Sequence, residues 1–114
     1  MPLQVDDVST LQQYLAGVVN RADHHADSVR YVVLPLIGAI VLFKSPDHEI
    51  KVLTQDGETK NVLWVHIRDS KYAFSYDHHS ESIVMKRGST QGPVLAHFTN
   101  ATTVREILNV FGAL

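Results

Sequence analysis

A chain of 114 residues with 45% hydrophobic and 19% charged residues has the make-up of one soluble globular domain, long enough to bury a core without staples. Its formal net charge of −2 supplies no basic field, which argues against nucleic acid and anionic membrane as partners. Cysteine is absent, so disulfides, thiolate chemistry and sulfur-ligated zinc are excluded.

The N-terminal residues Val8, Leu11, Leu15, Val18, Val19 and Ala22 recur at helical steps, with Asp7 or Ser9 placed to cap them. Met1-Pro2 runs straight into Asp6 and Asp7 with no apolar leader, so a cytoplasmic protein is expected. Val29, Val32, Val33, Leu36, Ile37 and Ile40 predict a second helix, with Asp27 or Ser28 as cap. A long buried strand from Val29 to Phe43 competes, because β-branched residues are dense there and Pro35 breaks helix interiors. The spacing favours the helix, followed near Gly38 by a switch to a short strand, Ile40 to Lys44. The apolar run from Tyr31 to Phe43 is far short of the roughly 20 residues that cross a bilayer.

From Glu49 onward the period is two. Ile50, Val52 and Thr54 alternate with Lys51 and Leu53, and Asp56-Gly57 makes a turn. Strands Asn61 to Arg68 and Lys71 to Asp77 follow. A two-residue turn at Asp69-Ser70 sets Ile67 opposite Tyr72, Val65 opposite Phe74 and Leu63 opposite Tyr76 on a core face. A loop of His78, His79, Ser80 and Glu81 sets Tyr76 opposite Ile83 and Phe74 opposite Met85 on the next strand. Gly88 to Pro93 reads as a loop and Val94 to Phe98 as the last strand, with Val94, Ala96 and Phe98 on the core face. Thr103 and Glu106 have capping-box spacing ahead of an apolar stripe of Val104, Ile107, Leu108 and Phe111. The fold expected is a single α+β domain over residues 1–114. It consists of an antiparallel meander of about five to six strands packed against N-terminal helices and a C-terminal helix.

Alternation leaves a second sheet face bearing Trp64, His66, Arg68, Lys71, Ser75, Val84, Leu95 and His97, too polar for a core and too aromatic for a solvated surface. Three uses suit it. Two copies of the chain pair there, around Trp64 with His66 and His97 near the centre and Arg68, Lys71 and Lys86 as the polar rim; or a helix covers it; or it holds a ligand, stacked on Trp64, with His66 or His97 exchanging protons and Arg68 or Lys71 holding an anion. A His66, Asp69 and Ser75 triad has no nucleophile elbow around it. The pairs His24-His25 and His78-His79 cannot aim both rings at one metal, so no metal site or other cofactor is expected. Gly88 to Gly92 lacks the lysine of a phosphate-binding loop and precedes a strand. Tyr72, Phe74 and Tyr76 lie among core residues and do not form an RNA-stacking platform.

The runs Asn61 to Ile67, Tyr72 to His78 and Gly92 to Thr102 resemble a group of small uncharacterised bacterial proteins, some of them encoded in mobile integron gene cassettes. The resemblance covers most of the chain after about Ala26 and rests on strand and turn residues, so it transfers a fold and no catalytic group. It implies a bacterial accessory protein of a size class often found as a symmetric oligomer. The function expected is therefore non-enzymatic binding of a partner protein or a small apolar ligand by a homo-oligomer, most simply a dimer. The alternatives are a small hydrolase or isomerase using His66 or His97 as base, and an immunity-type protein neutralising a toxin.

Overall fold

The described elements run α1 (Val33–Phe43), β1 (Lys51–Leu53), β2 (Val62–Ile67), β3 (Ser70–Asp77), β4 (Ser82–Arg87), β5 (Val94–Phe98) and α2 (Val104–Gly112). The structure, a computed structural model, describes residues 8, 9, 11, 12, 29–53, 62–77 and 79–114. Val8, Ser9, Leu11 and Gln12 are helical, and Leu11 joins the core. The stripe from Leu15 to Ala22, the caps Asp7, Asp27 and Ser28, the Asp56-Gly57 turn, and His24, His25 and His78 fall outside the described residues.

The five strands form one antiparallel meander in the order β1-β2-β3-β4-β5, which makes the fold α+β. The β2–β3 turn is Arg68-Asp69, with φ of 50° and 67°, where Asp69-Ser70 was expected. Both central residues of this hairpin turn must take positive φ, which Asp tolerates readily, and Ser70 is left to pair with Ile67. Val65 then faces Tyr72 and Leu63 faces Phe74, two residues from the expected partners. An even shift keeps every side chain on its face. The β3–β4 pairs are the expected ones, Tyr76 with Ile83 and Phe74 with Met85.

Between β4 and β5 a bulge at Met85/Lys86 breaks the alternation: Met85 pairs with Ala96 but Lys86 with Val94, leaving Leu95 over. Val94 is thereby turned off the core face on which it was expected, and is 50% exposed. The loop before it depends on Gly92, since a Cβ there would sit 1.8 Å from the Arg87 carbonyl oxygen.

Helix α1 runs on to Phe43, so neither the strand from Ile40 to Lys44 nor the long strand from Val29 forms. Pro35 is the third helical residue, in the first turn, where a backbone N–H has no intrahelical acceptor to lose. The N-cap position, Val32, has no side-chain oxygen to offer. Asn100, in the β5–α2 connection, supplies one: its Oδ1 accepts from the Tyr31 and Val32 amides at 2.8 and 3.0 Å. Helix α2 begins with the expected capping box of Thr103 and Glu106. Its buried residues are Ile107 and Phe111, with Val110 and Leu114 packed beside them, whereas Val104 and Leu108 are 57% and 43% exposed. The docking stripe is thus rotated from the one expected, to positions 107, 110, 111 and 114.

Both helices cover the sheet face that carries Leu63, Val65, Phe74 and Met85. Phe111 is the junction, its ring 5.6 Å from Phe43, 6.0 Å from Phe74 and 6.5 Å from Phe98. These separations lie in the range of favourable aromatic contact.

Candidate functional site

With the helices on one face, strand pairing assembles the other. One row across the sheet reads Lys51, Trp64, Ala73, Lys86 and Val94, and the next reads Leu53, Val62, Ser75, Val84 and His97. Val62, Ala73 and Val84 are 3%, 1% and 3% exposed although they lie outside the core cluster beneath the helices. Ala73, a single methyl between Trp64 and Lys86, is overshadowed by its two long neighbours.

These rows floor a cleft of about 400 Å³. Leu53, Val62, Trp64 and Val84 give it an apolar side, and Ser75, Asp77, Lys86, Thr90 and Gln91 a polar one. Lys86 is steadied by donating from Nζ to the Thr90 carbonyl oxygen at 2.9 Å. The volume and the mixture of lining groups suit a small organic molecule.

Of the residues expected on this face, Trp64, Ser75 and Val84 line the cleft, and His97 pairs with Val84 beside it. Leu95 lies in the bulge, 37% exposed. Arg68 has another occupation: Nη1 donates to the Leu114 carbonyl oxygen at 2.6 Å and reaches that of Gly112 at 3.5 Å. A cation at the carboxyl end of α2 serves the helix dipole, an occupation of Arg68 unforeseen in the sequence. His66 pairs with Lys71 away from the cleft and stacks on His48, ring centroids 3.9 Å apart. Desolvation holds the His66 imidazole below its ordinary pKa, reinforced by the positive charges of His48, Lys71 and Lys51.

His66 and His97 do not converge. They stand on β2 and β5, three strand spacings or about 14 Å apart across the sheet, and His66 is displaced four residues along β2 from Val62, which lies in the His97 row. The His66, Asp69 and Ser75 triad is not assembled either, because Asp69 is an exposed turn residue and Ser75 pairs with Val62. Among the described residues no group of three or more His, Asp or Glu is placed to hold a metal ion.

A polar chain unforeseen in the sequence reaches His97. Its Nδ1 lies 2.9 Å from Ser82 Oγ, which lies 2.6 Å from Ser80 Oγ, which donates to Asp77 Oδ2 at 2.7 Å. Ser82 is 1% exposed. The Ser80 hydroxyl and amide, both donating to Asp77, hold its carboxyl below the usual carboxylate range. The one sequence signal was a serine alternation, Ser80-Glu81-Ser82, closing a loop that Asp77 opens.

Residues 11–108 match the family described as "Integron cassette protein VCH_CASS1 chain". No curated protein matches the chain.

Proposed function

The chain belongs to this family of integron cassette proteins, and from that premise we propose that it is a non-enzymatic bacterial accessory protein whose Trp64 cleft binds a small, largely apolar ligand. The observation that carries the reading is the cleft itself, on the sheet face that α1 and α2 leave uncovered, with one half-buried tryptophan among aliphatic side chains. Trp64 offers a ligand a large flat surface at little entropic cost, and Ser75, Asp77 and Lys86 fix its orientation. An enzyme would need an activated nucleophile or a paired acid and base there; Ser75, Asp77 and Lys86 line the cleft, but Asp77 is held by Ser80 and Lys86 by the Thr90 carbonyl. Ser82 is too deeply buried to attack a substrate, and the two strand histidines stand apart. Trp64 is the sole tryptophan, so intrinsic fluorescence reports the cleft directly. Titration with small aromatics should change it saturably, and Val84→Glu, which puts a charge into the apolar side, should abolish the response. A linear, non-saturating response in the wild type would contradict the reading.

A second reading concerns assembly. The homo-oligomer expected from the sequence is proposed here as a dimer formed through α1, not through Trp64. Tyr31, Leu34, Val41 and Leu42 are 70%, 59%, 51% and 69% exposed on or beside that helix. An apolar helix surface of this kind marks an association site more often than a solvated one.

A further inference from the structure

We infer that His97 is an oriented hydrogen-bond acceptor at the edge of the Trp64 cleft, its imidazole held in the Nδ1–H form by the Asp77–Ser80–Ser82 chain so that Nε2 receives an O–H or N–H group of the ligand. The inference rests on the ligand reading of the cleft and names the polar half of that ligand.

Proton bookkeeping along the chain allows one direction only. An ionised carboxylate accepts and has nothing to donate, so the single Ser80 hydroxyl proton is committed to Asp77 Oδ2. Ser80 Oγ is then an acceptor toward Ser82. At 2.6 Å two hydroxyl oxygens with no proton between them would repel, so the Ser82 proton must lie on that line. Ser82 Oγ is left with lone pairs facing His97, and Nδ1 at 2.9 Å must donate. In the neutral ring the proton is thereby on Nδ1 and the basic lone pair on Nε2. Ser80 and Ser82 are positioning residues: they decide which nitrogen accepts and hold the ring against rotation.

His97 is an exposed residue, and the Ser82 contact occupies Nδ1 only. It pairs across the strands with Val84, which lines the cleft, and cross-strand neighbours stand about 5 Å apart. Asp77, the other end of the chain, lines the cleft as well. The ligand class this arrangement fits is a small molecule with an aromatic or aliphatic body lying against Val84, on the Trp64 side of His97, and a phenol, alcohol or amide donor at its rim.

The full chain, labelled with 15N, reports the tautomer through long-range imidazole correlations at about pH 8, where histidine is neutral. The wild type should show Nδ1–H. Ser80→Ala frees the Ser82 proton to turn toward His97 and should convert the ring to Nε2–H, while Ser82→Ala removes the acceptor and should do the same. Ser80 is exposed, so its variant keeps the fold even if the buried Ser82→Ala does not. The matched probes p-cresol and 4-methylanisole differ only in the donor. The wild type should bind p-cresol about fivefold or more tightly than 4-methylanisole, roughly the worth of one hydrogen bond, and Ser80→Ala should erase the difference. A wild-type Nε2–H ring, or equal binding of the two probes, overturns the His97 assignment and leaves the cleft standing. Failure of both probes to move the Trp64 indole resonance overturns the cleft reading and this site with it.

Discussion

Asn100 caps a helix whose N-cap residue lies 68 residues earlier in the chain, and Arg68 donates to carbonyls 44 and 46 residues later, at and just beyond the end of α2. Each fills a backbone vacancy that local sequence leaves open. Asn100→Ala should therefore lower stability by about 1 kcal/mol, the usual worth of an N-cap, in denaturant unfolding. An unchanged midpoint would show that water serves α1 equally well. His66 makes a second residue-scale prediction. Its folded pKa is depressed, first by desolvation and then by the charges of His48, Lys71 and Lys51. The unfolded chain takes up a proton near pH 6.5 that the folded chain resists, so this contribution to stability is complete above about pH 6.5 and is lost as pH falls toward the folded midpoint. An NMR titration should find the His66 midpoint below the ordinary value, and His48→Ala should raise it. A midpoint at or above the ordinary value would contradict the stacked geometry. None of these partnerships was legible in the sequence, because each joins residues that no periodicity relates. Trp64, Ser75 and Val84 were legible because strand alternation alone puts them on one face.

Among the elements, the two faces of the sheet do not depend on which pair of residues makes the β2–β3 turn, provided the shift is even. Reading Asp69-Ser70 where the chain uses Arg68-Asp69 moved every β2–β3 partner by two residues, yet parity kept Leu63, Val65 and Phe74 together beneath the helices. The bulge at Met85/Lys86 did change parity, and Val94 changed sides with it. At the end of helix α1, Gly38 and the β-branched Ile40 and Val41 argue locally for a strand that does not form. Burial of Leu36, Ile37 and Ile40 against the sheet outweighs that propensity. Phe74 tests the face assignment: it is fully buried, and its ring lies 6.0 Å from Phe111 and 6.4 Å from Phe98. Phe74→Ala should cost about 3 to 5 kcal/mol by thermal or denaturant unfolding. A loss under 1 kcal/mol would mean that the helices do not pack on this face.

The whole molecule presents two differently made surfaces. The sheet face holds a half-polar cleft built around Trp64. The α1 surface, with Tyr31, Leu34, Val41 and Leu42 exposed, is apolar. A cleft suits a small ligand and an apolar helix suits a second copy, so one chain has room for both. Static light scattering at micromolar concentration should give a dimer for the wild type and a monomer for Leu42→Glu. A wild-type monomer, or a dimer unaffected by the substitution, would remove α1 as the contact. No helix among the described residues is long and apolar enough to cross a membrane. The ligand reading of the sheet face is tested most directly by backbone and indole amide shifts of the 15N-labelled chain during titration with small aromatic compounds. The expected result is saturable movement confined to Leu53, Val62, Trp64, Ser75 and Val84, and lost in Val84→Glu. Movement confined instead to Leu34, Val41 and Leu42, or absent from Trp64 at saturation, would contradict it.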